Sequence, residues 1–152
     1  MNLSQEEANA LIAIEKYLKN HSIVIPSQGA ENKYDIYDSS GDQNYYAAMF
    51  RGRINPLKSY YKLIYRGNIR LIRVDIGYSG THTNPDGTVF PAGVPHIHLF
   101  DEVHHDKIAY PLPEIFNNTD DLAETLRTFL SYSNVLNVDE IEIIQQGGLF
   151  DE

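Results

Sequence analysis

The sequence predicts an α+β fold in a single domain spanning residues 1–152, with an N-terminal helix, a four- to five-stranded, mainly antiparallel sheet, a second helix and a short terminal strand. Three observations carry this. Apolar residues recur at helical spacing only near the two ends of the chain. The middle alternates with a period of two, and short turn sequences, not helices, separate the alternating runs.

The first helix is expected over 5–20. Ser4-Gln-Glu-Glu7 has the spacing of a capping box, and Ala8, Leu11, Ile12, Ile14, Tyr17 and Leu18 follow at helical intervals. Ile23 to Pro26 is a short apolar segment closed by proline, Ser27 to Lys33 reads as loop, and Tyr34 to Asp38 as a strand before the turn Ser39 to Gln43. Strands are expected at Tyr45–Ile54, Ser59–Arg66 and Asn68–Tyr78, broken at Asn55-Pro56 and at Arg66-Gly67-Asn68. Asn84-Pro85-Asp86-Gly87 signals a tight hairpin, with Pro preset for the turn and Gly supplying positive φ. Val94–Glu102 is the next strand, and Lys107–Leu112 a short extended return. Thr119-Asp-Asp opens the second helix, whose apolar face is Leu122, Ala123, Leu126, Phe129 and Leu130. Val138, Ile141 and Ile143 mark a last strand before Gly147-Gly148 loosens the tail.

Composition narrows the function. With no cysteine there is no disulfide framework, thiolate nucleophile or Cys-ligated metal. The N-terminus is acidic where a secretory signal would be basic, and no apolar run nears the ~18 residues of a membrane span, so the expected location is the cytoplasm, with no membrane partner. The net charge is -9, yet seven of the twelve Lys and Arg residues fall between Arg51 and Arg73, a stretch without Asp or Glu. That segregation predicts one positive sheet face able to bind an anion. Phosphate-loop, dinucleotide, nucleophile-elbow and H-E-x-x-H motifs are absent.

Strand parity places His96 and His98 on one face, opposite Ile97 and Leu99, which are the natural core residues. Both imidazoles are therefore expected to face solvent or a groove. The same parity puts Ile72, Val74 and Ile76 in the core and Leu71, Arg73 and Asp75 on the other side. If these strands are neighbours, Arg73 or Asp75 lies beside the histidines, with His82 as a third. Two histidines and a cation suit phosphodiester cleavage, one imidazole accepting a proton while the other donates one and an Arg stabilises charge on phosphorus. Tyr60, Tyr61, Tyr65 and Tyr78 interleave with the cations and could stack bases. The bland alternatives are that the tyrosines are packing residues and the histidines pin the 79–95 loop. A third reading is a metal site, because His96-x-His98 can converge on one ion with His82, Asp75 or Glu102. Position 100 is Phe, so the three-histidine triad of nucleotide hydrolases is incomplete, and the glycines and second motif of cupins are missing.

Asp75-Ile76, His82-Thr-Asn-Pro-Asp-Gly87, Pro95-His-Ile-His98, Asp106-Lys107 and Ala109-Tyr-Pro-Leu112, followed by a leucine-rich helix, together resemble an uncharacterised family of small bacterial and prophage-borne proteins. The resemblance covers the C-terminal two thirds of the chain and implies a shared fold without assigning an activity. In architecture alone, a helix ahead of a basic antiparallel sheet is similar to small ribonuclease toxins.

The expectation drawn from these residues is a protein that binds RNA or another phosphate-bearing ligand, with metal-independent cleavage as its candidate reaction and no cofactor. His96, His98 and Arg73 are the candidate catalytic residues, and Arg51, Arg53, Lys62, Arg66, Tyr65 and His82 the candidate ligand-binding ones. One alternative is a non-enzymatic module docking an acidic protein through the basic face. The other is a metal protein using His82, His96, His98 and Asp75.

Overall fold

The computed structural model describes residues 2–55 and 57–145; the Gly147-Gly148 tail lies outside them. Helix α1 (Gln5–Ala13) starts at the expected capping box. Ser4 accepts from the Glu7 backbone N–H, and the Glu7 carboxylate accepts from the Ser4 N–H in return. The helix stops seven residues earlier than its apolar spacing predicts. Strand β1 (Lys16–Leu18) takes over and pairs with β3 (Glu31–Asp38), a strand that begins three residues before the expected Tyr34.

From β3 the meander proceeds as expected through β4 (Tyr45–Arg51), β5 (Ser59–Tyr65) and β6 (Ile69–Ile76). Two further strands, β9 (His96–Leu99) and β10 (Ala109–Pro111), extend it. The sheet therefore has seven strands, in the order β1-β3-β4-β5-β6-β9-β10, where the sequence predicted four or five. Every pairing within it is antiparallel. Pro111 sits on the edge strand β10, where a missing N–H is tolerated. The NPDG sequence closes a separate small hairpin, β7 (His82–Thr83) with β8 (Val89–Phe90), which leaves the sheet between β6 and β9.

Two departures remain, one from non-local pairing and one from a local cap. Strand β2 (Ser22–Val24) runs parallel to β11 (Glu142–Ile144), the last strand, which is preceded by a 3-10 turn over Val138–Glu140. Helix α2 (Leu122–Tyr132) is capped by Asp121, whose side chain accepts from the Glu124 N–H, rather than by Thr119.

The two helices cover one face of the sheet. Leu126, Phe129 and Leu130 of α2 join Ile36, Met49, Tyr61, Leu63, Ile72, Val74 and Ile97 in the core, with the Tyr61 and Phe129 rings 5.9 Å apart. Leu71 belongs to this core as well, contrary to its parity. The β5–β6 register shifts between Leu63 and Ile64, and the bulge opposite lets Leu71 and Ile72 both turn inward. Among the described residues no helix is long and apolar enough to cross a membrane.

A lysine lies inside, between the two helices. Lys16 is fully buried, and its Nζ donates to the carbonyls of Ile12, Ile14 and Ser133 at 2.7, 3.0 and 3.0 Å, joining the C-terminal ends of α1 and α2. Burial pushes this ammonium down to about 8, opposed by the Asp38 carboxylate.

Candidate metal centre

The uncovered face of the sheet carries the site. Antiparallel pairing sets residues directly opposite one another in rows, so that side chains of one row share a face. One row runs Glu31, Phe50, Tyr60, Asp75, His96 and Pro111, and the next runs Lys33, Ala48, Lys62, Arg73, His98 and Ala109. His96 and His98 thus share a face opposite buried Ile97, as parity predicts, and β6 brings Asp75 and Arg73 beside them. Leu99 is only partly buried against the core.

Their environment differs from the expectation. The imidazoles do not face solvent, since His96 is 2 % exposed, His98 5 % and Asp75 2 %. The cause is the β7–β8 hairpin, which folds back over this end of the sheet. His82 stacks on His96 at 5.6 Å between ring centres and meets His98 edge-on at 4.7 Å, while Phe90 packs 5.4 Å from His96.

Asn84 holds that cover in place. Its Oδ1 accepts from the Ala109 N–H at 2.8 Å and its Nδ2 donates to the Ala109 carbonyl at 2.9 Å, docking the hairpin on β10. This pair fixes the amide orientation, so His82 Nε2 faces two acceptors, Asn84 Oδ1 at 2.8 Å and the Lys107 carbonyl at 3.0 Å, and must carry a proton. Asn84→Ala is expected to cost about 1–3 kcal/mol by stranding the Ala109 amide and carbonyl. Amide hydrogen exchange should then accelerate selectively across 82–90; unchanged exchange there would show that the clasp does not hold the cover.

Asp75 is the hub. Its Oδ1 accepts from Arg73 Nε at 2.9 Å, and its Oδ2 lies 3.2 Å from His96 Nε2 and 3.4 Å from His98 Nε2. Burial would raise this carboxyl, but the two imidazoles and the Arg73 guanidinium hold it far below the usual carboxylate range. His96 Nδ1 lies 3.0 Å from the Val94 carbonyl, which can only accept, so Nδ1 carries a hydrogen. In a neutral ring the lone pair on Nε2 would then point at a carboxylate oxygen. Two lone pairs 3.2 Å apart repel unless a cation lies between them. A proton is one such cation, and the contact with Asp75 raises the His96 pKa above its ordinary value. A metal ion is the other. Donors bound at about 2.0–2.2 Å in a tetrahedron are about 3.4 Å apart, close to the two Asp75–imidazole separations. Among the described residues, Asp75, His96 and His98 are the group that offers one donor atom each within 4.8 Å of the others. The Val94 carbonyl behind His96 would orient that ring if it held a metal. His98 Nδ1 is buried and has no hydrogen-bond partner among the described residues.

The other sequence-derived candidates disperse. Lys62 and Arg73 stand side by side on the open face, one row from Arg70. Arg51 lies on β4 beyond that row, and Arg53 packs over the Gly29 turn at the far end of the sheet. Arg66 adopts a positive φ of 51° in the β5–β6 turn, with its guanidinium over Tyr65. Tyr65 is buried and donates to Asp42, and Tyr61 is in the core, so neither is a stacking platform. Tyr60 is on the open face, stacked on Phe50, and Lys58 covers Tyr78. Of the metal candidates, His82 sits over the cluster without belonging to the converging group, and Glu102 accepts from the Gln5 N–H far from it. The residue least legible in sequence is Asn84, whose signal was only its place in the NPDG turn.

Comparison with the curated proteins and with the solved structures found no match. A family model matches residues 3–135, a span that includes both helices, the seven-stranded sheet and the whole Asp75–His96–His98 cluster. The chain belongs to that family, DUF6978, a family of unknown function.

Proposed function

We propose that this protein is a mononuclear metal protein in which Asp75, His96 and His98 bind one divalent transition-metal ion. The observation that carries the reading is the pair of 3.2 and 3.4 Å contacts from the two Nε2 atoms to one Asp75 oxygen, with Val94 committing His96 Nδ1 to donation. Imidazole and carboxylate donors without thiolate suit zinc, iron(II), cobalt or nickel better than calcium or magnesium. Three protein ligands leave one or more positions for water or a substrate, the arrangement of reactive rather than purely structural sites. His82 and Phe90 pack over the histidine rings, so exchange at an ion held there would depend on the β7–β8 hairpin.

The convergence of both Nε2 atoms on one Asp75 oxygen supports this reading over metal-free acid/base cleavage. An acid/base pair needs an imidazole nitrogen aimed at a substrate, whereas both Nε2 atoms are aimed at Asp75 and the Arg73 Nε is engaged by the same carboxylate.

Titration of the purified chain with zinc, followed by calorimetry and elemental analysis, is expected to give one ion per chain. His98→Ala is expected to weaken binding about 100-fold or more. Cobalt should give the visible absorption of a low-coordinate N/O site. Wild-type protein that takes up no zinc, or uptake unchanged in His98→Ala, would refute the assignment; the latter would place the ion elsewhere on the chain.

A further inference from the structure

The open face of the sheet has a second feature, centred on β4 and β5, across the strands from the metal ligands. Lys33, Lys62 and Arg70 surround a depression of about 290 Å³, walled by Tyr46 and floored by Ala48 and Ile64. The hollow exists because the β4 position between Lys33 and Lys62 is alanine, so the centre of the row has almost no side chain. The three cations converge from three strands, β3, β5 and β6. Two of them are held against rings: Lys33 Nζ lies 5.0 Å from the Tyr46 ring centre and Lys62 Nζ 4.2 Å from that of Tyr60.

We infer that this depression is a binding site for a small molecule bearing one phosphate monoester and neighbouring hydroxyls. Three cations in so small a space suit one doubly charged group, with Arg70 able to take it bidentately and the lysines as point charges. Lys62 is crowded: burial lowers its proton affinity first, and Arg70 next to it lowers it further, so an incoming anion relieves a like-charge repulsion already present. Glu31 lines the same hollow and accepts from Tyr60 through Oε2 at 2.7 Å, a carboxylate suited to a ligand hydroxyl beside the phosphate.

The acids on this face decide between a small phosphate and a nucleic acid. Glu31 and Asp35 flank Lys33 on its strand, Asp75 engages Arg73, and Asp106 lies 3.4 Å from Arg70. The cation excess is therefore local to the hollow. A chain of regularly spaced phosphates would meet carboxylates on either side, and its affinity depends on neutralising several phosphates at once. The volume, at the lower limit of small-molecule sites, points the same way.

The test is calorimetric titration of the full chain with ribose 5-phosphate, with ribose and with a single-stranded RNA oligomer, in the presence of chelator so that no ion at Asp75 can hold the phosphate. Ribose 5-phosphate is expected to bind saturably and ribose not to bind. Lys62→Gln is expected to weaken the phosphate about 10-fold or more, while its melting temperature and zinc stoichiometry stay those of the wild type. Lys33→Gln, at an exposed position, is expected to weaken it too and serves if Lys62→Gln folds poorly. No saturable binding below about 10 mM, binding indifferent to both substitutions, or binding of RNA alone would each overturn the inference. Because zinc uptake is read separately, failure here leaves the metal assignment standing, and the reverse.

Discussion

Replacing Lys16 by methionine is expected to lower the unfolding free energy by about 3–5 kcal/mol, although the side chain is of similar length and more apolar. The ammonium meets three carbonyls, of Ile12, Ile14 and Ser133, at 2.7–3.0 Å in a site without solvent. Helix ends leave carbonyls without intrahelical partners, and here one side chain serves both helices at once. Methionine offers none of the three donors, and each buried carbonyl left alone costs about 1–3 kcal/mol, only partly offset by burial of the thioether. Total stability of a domain this size is about 5–15 kcal/mol, so the loss would be a large share of it. Urea denaturation of the two proteins at neutral pH measures it. A difference under about 1 kcal/mol would mean that the two helix ends satisfy their carbonyls without Lys16.

Lys16 also shows why the first helix was read too long. Ile14, Tyr17 and Leu18 continue the helical spacing from Ala8, but Lys16 and Leu18 equally alternate with Tyr17, and both periods fit so short a run. Pairing of β1 with β3, eighteen to twenty-two residues away, decides between them. The meander from β3 to β6 was legible because each of its turns is local and written in Gly, Asn and Asp. The parallel β2–β11 pair joins segments about 120 residues apart and has no local signal. The same division applies to the site. The common face of His96 and His98 follows from parity, and Asp75 from the neighbouring strand. Their burial does not follow, because the cover is an excursion clasped to β10 by one asparagine. Leu71 was misplaced by the bulge, which shifts parity by one and cannot be read from an unbroken apolar run. The cation count between 51 and 73 was real, but a strand sends alternate residues to opposite faces and a turn sends them elsewhere, so only Lys62, Arg70 and Arg73 share the open face.

Asp75→Ala is expected to have the largest combined effect, costing about 3–5 kcal/mol and removing zinc binding altogether. The carboxylate is 2 % exposed and is the shared partner of Arg73, His96 and His98. Without it, cationic and polar groups face one another in a site that excludes water, and truncating one partner of such a cluster costs far more than the cluster's net contribution. Asp75→Asn separates the two consequences, since it keeps the volume and an acceptor for Arg73 but loses the charge an ion requires. It should fold with a smaller loss, about 1–3 kcal/mol, and still fail to take up zinc. Linkage provides the readout. At a free zinc concentration 100 times the dissociation constant, the wild type should gain about 2.7 kcal/mol of stability over its chelated form, whereas Asp75→Asn should melt identically with and without zinc. If Asp75→Asn kept the zinc-dependent gain, the ion would not be bound here. If the wild type showed no gain either, the cluster would be a buried ion-pair network whose cation is the proton on His96.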